Sequence, residues 1–323
     1  MTPAETDIAE PRASTRRIDA LDIARGAALI AMAIYHFTWD LENFGYVDHG
    51  LTAEGGWKLF ARCIASSFLF LVGVSLVLAH AHGIRWRSFW RRWAGVAAGA
   101  AAITVVTYFV TPQGFVFFGI LHEIALASLL GLAFLRLPFP LTFLAALAVL
   151  ALPQFVTSDV FDPKALAWIG MAEKPPVSND YVPLFPWFGA VLLGIAAAQA
   201  GIRFGAFGWL RRLNEKLRGA APLARLGRHS LLFYLLHQPL LFGLVMASAQ
   251  VFPPDAGRIL QSDCRRGCMA ERQDAAFCAR YCSCINDRLE GADLLKALLA
   301  GTTTETENAA IGDMVLACSA PQP

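Results

Sequence analysis

The chain has 323 residues, 56% hydrophobic and only 16% charged, with a mean hydropathy of +0.49. That balance excludes a soluble enzyme of ordinary composition and points to a polytopic membrane protein whose first partner is the lipid bilayer. A net charge of +2 implies no nucleic-acid partner, and the basic residues cluster beside apolar segments instead of forming one patch.

Residues 1–16 include Pro3, Glu5, Asp7, Glu10 and Pro11. They lack the charged, apolar, then small-residue layout of a cleaved signal peptide and read as a disordered tail. Apolar stretches near the length that crosses hydrocarbon as a helix then follow. They run from Leu21 to Phe37, Leu59 to His80, Trp93 to Val110, Phe115 to Leu135, Leu137 to Val156, Pro183 to Ala200 and Ser230 to Phe252. The expected fold is therefore an all-α transmembrane bundle of about seven spans over residues 17–252. A small helical Cys-rich extension follows over residues 253–323. The fifth span is interrupted by Pro153, and the sixth opens on Pro183 and Pro186, where proline is tolerated because a first-turn N–H has no helical partner.

Orientation follows from arginine and lysine in short loops. Arg12, Arg16 and Arg17 precede the first span, and Arg85, Arg87, Arg91 and Arg92 join the second to the third. Arg136 joins the fourth to the fifth, and Arg203, Arg211, Arg212, Lys216, Arg218, Arg225 and Arg228 join the sixth to the seventh. The opposite loops carry Asp40, Glu42, Asp48, Glu54, Asp159, Asp162, Glu173 and Asp180. The N-terminus is expected in the cytoplasm and the C-terminal tail outside. In a bacterium this means the inner membrane with a periplasmic tail. Arg258, Arg265 and Arg266 behind the last span pull the other way.

Polar groups inside the apolar stretches carry the functional expectation, because an arginine near a helix centre costs roughly 2.5 to 3.5 kcal/mol on insertion scales. Arg25 and His36 are eleven positions apart, so at about 100° per residue they lie within about 20° of each other and roughly 16 Å apart along the axis. Asp40, four residues after His36, is in position to orient the ring. The competing account has both marking the helix end at the interface. Asp22 can neutralise Arg25 at i, i+3 spacing, or the guanidinium can grip an anionic phosphate from a cytosolic donor such as a coenzyme A thioester. Arg62 can snorkel to the interface. His122 and Glu123 place two more ionisable groups in the fourth span. Ser230, Tyr234 and His237 line one face of the seventh, as a substrate cavity or as polar glue between helices. Haem or metal ligation by the histidines is disfavoured, since no pair has ligand spacing within one helix, and no metal is expected.

Past Pro253 and Pro254 come Cys264, Cys268, Cys278, Cys282, Cys284 and Cys318, whereas the membrane part holds only Cys63. Two Cys-x-x-x-Cys pairs put sulfurs on one face of each of two short helices. An antiparallel hairpin would pair Cys264 with Cys282 and Cys268 with Cys278, leaving Cys284 for Cys318. An outside compartment favours these disulfides, and a cytosolic one favours zinc held by four thiolates.

The run Arg17-Ile18-Asp19-Ala20-Leu21-Asp22-Ile23-Ala24-Arg25-Gly26, closing at His36, resembles the opening helix of transmembrane acyltransferases. It is similar above all to bacterial relatives of heparan-alpha-glucosaminide N-acetyltransferase. Ser66 to Ser75, Phe118-Gly119-Ile120-Leu121-His122 and Gly227 to Pro239 match in the same order. The resemblance implies transfer of an acyl group, typically acetyl, from cytosolic acetyl-CoA to an amine or hydroxyl of a sugar or glycan across the membrane. It offers two reactive histidines. His36 fits the arginine, ten residues, histidine pattern of the wider superfamily. His49, in Gly45-Tyr46-Val47-Asp48-His49-Gly50, is the nearest match to the lumenal histidine of the lysosomal enzyme. His36 ranks first on sequence. The main rival is a non-enzymatic permease or proton-coupled carrier using Arg25, His36, His122 and His237 as a path. A third reading is a scaffold whose tail recruits a partner. The acceptor and the oligomeric state are left open.

Overall fold

The computed structural model describes residues 18–216 and 218–320. The stretch 1–16, with Arg12 and Arg16, lies outside them, as do Arg17 and the side chains of Arg211, Lys216 and Arg218. The described residues are helical, with two isolated bridges and no strand. In chain order the helices are α1 (Asp19–Asn43), α2 (Gly55–His80), α3 (Trp86–Val110), α4 (Ile120–Phe134), α5 (Phe139–Ala151), α6 (Lys164–Ala167) and α7 (Leu184–Arg203). They continue with α8 (Ala206–Lys216), α9 (Ala221–Arg228), α10 (Ser230–Val251), α11 (Ala256–Arg272), α12 (Ala275–Gly291), α13 (Leu295–Ala300) and α14 (Glu305–Ser319).

Five of these, α1, α2, α3, α7 and α10, are long and apolar enough to cross a membrane. The expected fourth and fifth spans are shorter apolar helices, for local reasons. Phe115 to Gly119 is drawn out of the helix, because Gly114 and Phe118 carbonyls accept from the N–H groups of Asn179 and Val182. Regular helix therefore starts only at Ile120. At the other end α5 stops at Ala151 and tightens into a 3₁₀ turn containing Pro153. The sixth span begins as expected of its prolines: Phe185 is extended and regular helix runs from Pro186. The third starts earlier than hydropathy suggests, so Arg87, Arg91 and Arg92 lie on α3 itself, all exposed, as long stems that reach the interface.

The chain divides into two compact units. The first holds residues 18–30 and 64–235. Its core is Leu69, Val74, Leu76, Val77, Phe188, Val191, Leu192 and Ile195, with α5 and α4 packed on α7. Close backbone approach sets two crossings there. A Cβ on Gly73 would run into the Val191 carbonyl, and one on Gly194 into the Phe70 carbonyl, so α2 and α7 meet backbone to backbone. In the same way a Cβ on Gly26 would strike the Leu223 carbonyl and one on Gly227 the Asp22 carbonyl, which locks α9 onto the first turns of α1. Small residues at crossings are how apolar helices associate where lipid removes the hydrophobic drive. Large apolar side chains point outward from this unit, among them Val105, Val106, Phe109, Leu141 and Leu144.

The second unit holds residues 31–63 and 236–320. Phe44 packs on Phe242 with ring centroids 5.0 Å apart. Helix α11 starts on Asp255, whose carboxylate accepts from the N–H groups of Gly257 and Arg258, and α12 starts on Asp274, which accepts from Phe277; both are N-caps. Disulfides join Cys264 to Cys282, Cys268 to Cys278 and Cys284 to Cys318, the order of an antiparallel hairpin. With the thiols consumed, the zinc alternative has no ligands. Ile285, Leu289 and Leu295 form the small core beneath.

Candidate functional site

In the first unit, Arg25 is held on a fork. Its Nη1 lies 2.5 Å from Asp22 Oδ1 and its Nη2 donates to Ser75 Oγ at 2.6 Å, while the Ser75 hydroxyl donates to the Leu71 carbonyl. Asp22 is buried and the Arg25 side chain is 23% exposed. The i, i+3 ion pair weighed from sequence is thus present, and it orients the guanidinium. Gly26 and Gly227 bring α9 against this same turn.

His122 is the third residue of α4, at the helix start instead of well inside a span. Gly119 N–H donates to its Nδ1 at 3.2 Å, and its Nε2 lies 3.1 Å from Thr104 Oγ1, which in turn donates to the Val116 carbonyl at 2.7 Å. This pattern assigns the neutral tautomer with the proton on Nε2. Both ring nitrogens are occupied in starting a helix. Glu123 is 0% exposed, and neither carboxyl oxygen has a hydrogen-bond partner among the described residues. Tyr234 donates its hydroxyl to Asp180 Oδ2 at 3.3 Å, and the same oxygen accepts from Ile120 N–H at 2.9 Å. Asp180 therefore caps the start of α4, its Oδ2 accepting at the helix N-terminus. Burial raises its carboxyl above the ordinary carboxylate value, against the lowering from those two donors.

In the second unit, His36 is half-buried and its ring meets His237 edge-on, centroids 5.1 Å apart. The Tyr35 ring meets it edge-on as well, centroids 5.8 Å apart. Asp40, expected to orient His36, turns elsewhere: its Oδ1 accepts from Gln238 Nε2 at 2.8 Å. His49 has what His36 was expected to have. Its Nδ1 lies 2.8 Å from Asp263 Oδ1 and 3.0 Å from Oδ2, and the side chain is 31% exposed. It lines an open cleft of about 450 Å³ with Asp48, Glu54, Trp57 and Arg266. The loop under it is pinned to α1, because Glu42 Oε1 accepts from Gly50 N–H at 2.6 Å and Oε2 from Thr52 N–H at 2.8 Å. Arg62 and Cys63 are exposed on α2. Among the described residues no group of three or more His, Cys, Asp or Glu is arranged to hold a metal ion.

Several side chains in these clusters escaped the sequence reading. Asp180 counted only as one of the outward acids, and nothing in spacing ties it to Ile120, sixty residues earlier. Asp263 is hidden beside the more conspicuous Cys264. Ser75 ends the apolar run Ser66 to Ser75, where nothing local ties it to Arg25, fifty residues earlier.

Residues 17–239 match the family model described as heparan-alpha-glucosaminide N-acetyltransferase, catalytic. No curated protein and no solved structure matches the chain.

Proposed function

Because this chain belongs to the heparan-alpha-glucosaminide N-acetyltransferase catalytic family, and is a membrane acetyltransferase by that membership, we propose that it moves an acetyl group from cytosolic acetyl-CoA to an amine or hydroxyl of an extracytoplasmic sugar. The single observation carrying the reading at the level of residues is the His49 to Asp263 contact at 2.8 Å in an open cleft. A carboxylate on Nδ1 fixes the tautomer in which Nε2 is the basic nitrogen. His49 then takes the acceptor proton as the nitrogen or oxygen attacks the thioester carbonyl. The new C–N or C–O bond forms, the C–S bond breaks, and the proton passes to the departing thiolate. Arg25, held by Asp22 and Ser75, would grip the donor's phosphate.

His36 is the second candidate, and it is disfavoured because Asp40 is engaged by Gln238. His122, with both nitrogens occupied, and Glu123 are read as structural. The working orientation is N-terminus in the cytoplasm and disulfide tail in the periplasm, at a bacterial inner membrane, which suits the three cystines. Purified full chain incubated with labelled acetyl-CoA and glucosamine is expected to yield acetylated sugar. Flux of label across sealed vesicles with no acetylated product would support the carrier reading instead. Loss of turnover in His36→Ala with full turnover in His49→Ala would move the chemistry to His36.

A further inference from the structure

We infer that the Cys-rich tail, which lies beyond the matched residues 17–239, completes the acceptor site, with Asp263 of α11 the positioning residue for the His49 imidazole. This rests on the reading of His49 above. One face of α11 grips the whole histidine loop. Arg258 Nη2 donates to the Tyr46 carbonyl at 2.6 Å and to the Gly45 carbonyl at 3.4 Å. Ile259 fills the space where a Cβ on Gly45 would sit, and Arg266 does the same over Gly50. Both glycines are left-handed, at φ 79° and 87°, a conformation that side chains rarely adopt. Between these contacts Asp263 offers both oxygens to Nδ1, and Arg266 Nη2 holds Oδ1 at 2.9 Å.

Residues 258, 259, 263 and 266 share one helical face, while Cys264 and Cys268 on the opposite side tie α11 to α12. The staple leaves the helix rigid behind the carboxylate, which is what orientation of a catalytic imidazole requires. The loop is thereby held between Glu42 of α1 and the α11 face. A tail serving only as a solvated appendage would need none of this register.

Membranes carrying the full chain, assayed with labelled acetyl-CoA and glucosamine, separate the possibilities. Asp263→Asn is expected to lower kcat about a hundredfold, within the usual range for general-base catalysis, with KM for glucosamine nearly unchanged. Asp263→Glu is expected to restore part of kcat, and the three disulfides are expected to stay intact by non-reducing mass spectrometry in both. Asp263→Asn turning over like the parent, while His49→Gln does not, overturns this inference and leaves the reading of His49 standing. His49→Gln with full activity removes the reading itself. A KM rise matching the fall in kcat/KM, with no recovery in Asp263→Glu, reduces Asp263 to a structural contact and overturns the inference.

Discussion

His122 shows how an ionisable side chain on an apolar helix can serve folding. Its Nδ1 receives the Gly119 N–H and its Nε2 engages Thr104, so it closes the start of α4 as a capping residue does. His122→Ala is expected to cost about 1 kcal/mol, the usual worth of a cap, seen as a lower detergent melting temperature, with kcat/KM close to the parent. Glu123 is the opposite case, a buried carboxyl without hydrogen-bond partners among the described residues. Burial of an unbonded polar group costs roughly 1 to 3 kcal/mol, so Glu123→Met is expected to raise the melting temperature without loss of turnover. Asp180 carries a pH signature. Its carboxyl is raised by burial, so the folded state holds its proton to higher pH than the unfolded chain. Stability from this site is therefore fully present below the ordinary carboxylate value and is lost as pH rises above it through the raised folded value. Asp180→Asn is expected to flatten that slope in melts taken across pH.

Helix existence was legible in sequence where apolar runs were long, and the starts and ends were legible where proline marked them, as at Pro153 and Pro186. The early start of α4 expected from Phe115 was wrong, because backbone hydrogen bonds to the segment 179–182 were worth more to Phe115–Gly119 than helix, and pairing across sixty residues leaves no local signal. The functional clusters followed the same rule. Arg25 with Asp22 is local at i, i+3 and was foreseen. His49 with Asp263 is 214 residues apart and was not. Crossings made by glycine were half visible: Gly26, Gly73 and Gly227 lay in the family-like motifs, as did Asp22, against which Gly227 packs, but Leu223 and Val191, the partners of Gly26 and Gly73, did not. Gly194→Leu is expected to abolish folded protein, since the side chain would displace the Phe70 carbonyl; yield of monodisperse protein in detergent measures this. In the tail, replacing both Cys264 and Cys282 by serine is expected to destabilise the hairpin by about 3 kcal/mol, the value for a loop near this length. On the reading above, acetyl transfer should fall with it.

Span number matters to the whole molecule mainly through its parity. Five long helices, or seven with α4 and α5, are both odd, so either count sends the two ends of the membrane part to opposite sides. An alkaline phosphatase fused after Phe252 is expected to be active in a bacterial host and one fused after His80, beyond two crossings, inactive; the reverse pattern would invert the topology. The two nested cystines carry a consequence for proteolysis of the tail. The turn at Gln273 and Asp274 lies inside both of them, since Cys264–Cys282 and Cys268–Cys278 bracket it. A single peptide-bond cut there frees no fragment, and the nicked chain runs as one band until a thiol reagent parts it in two.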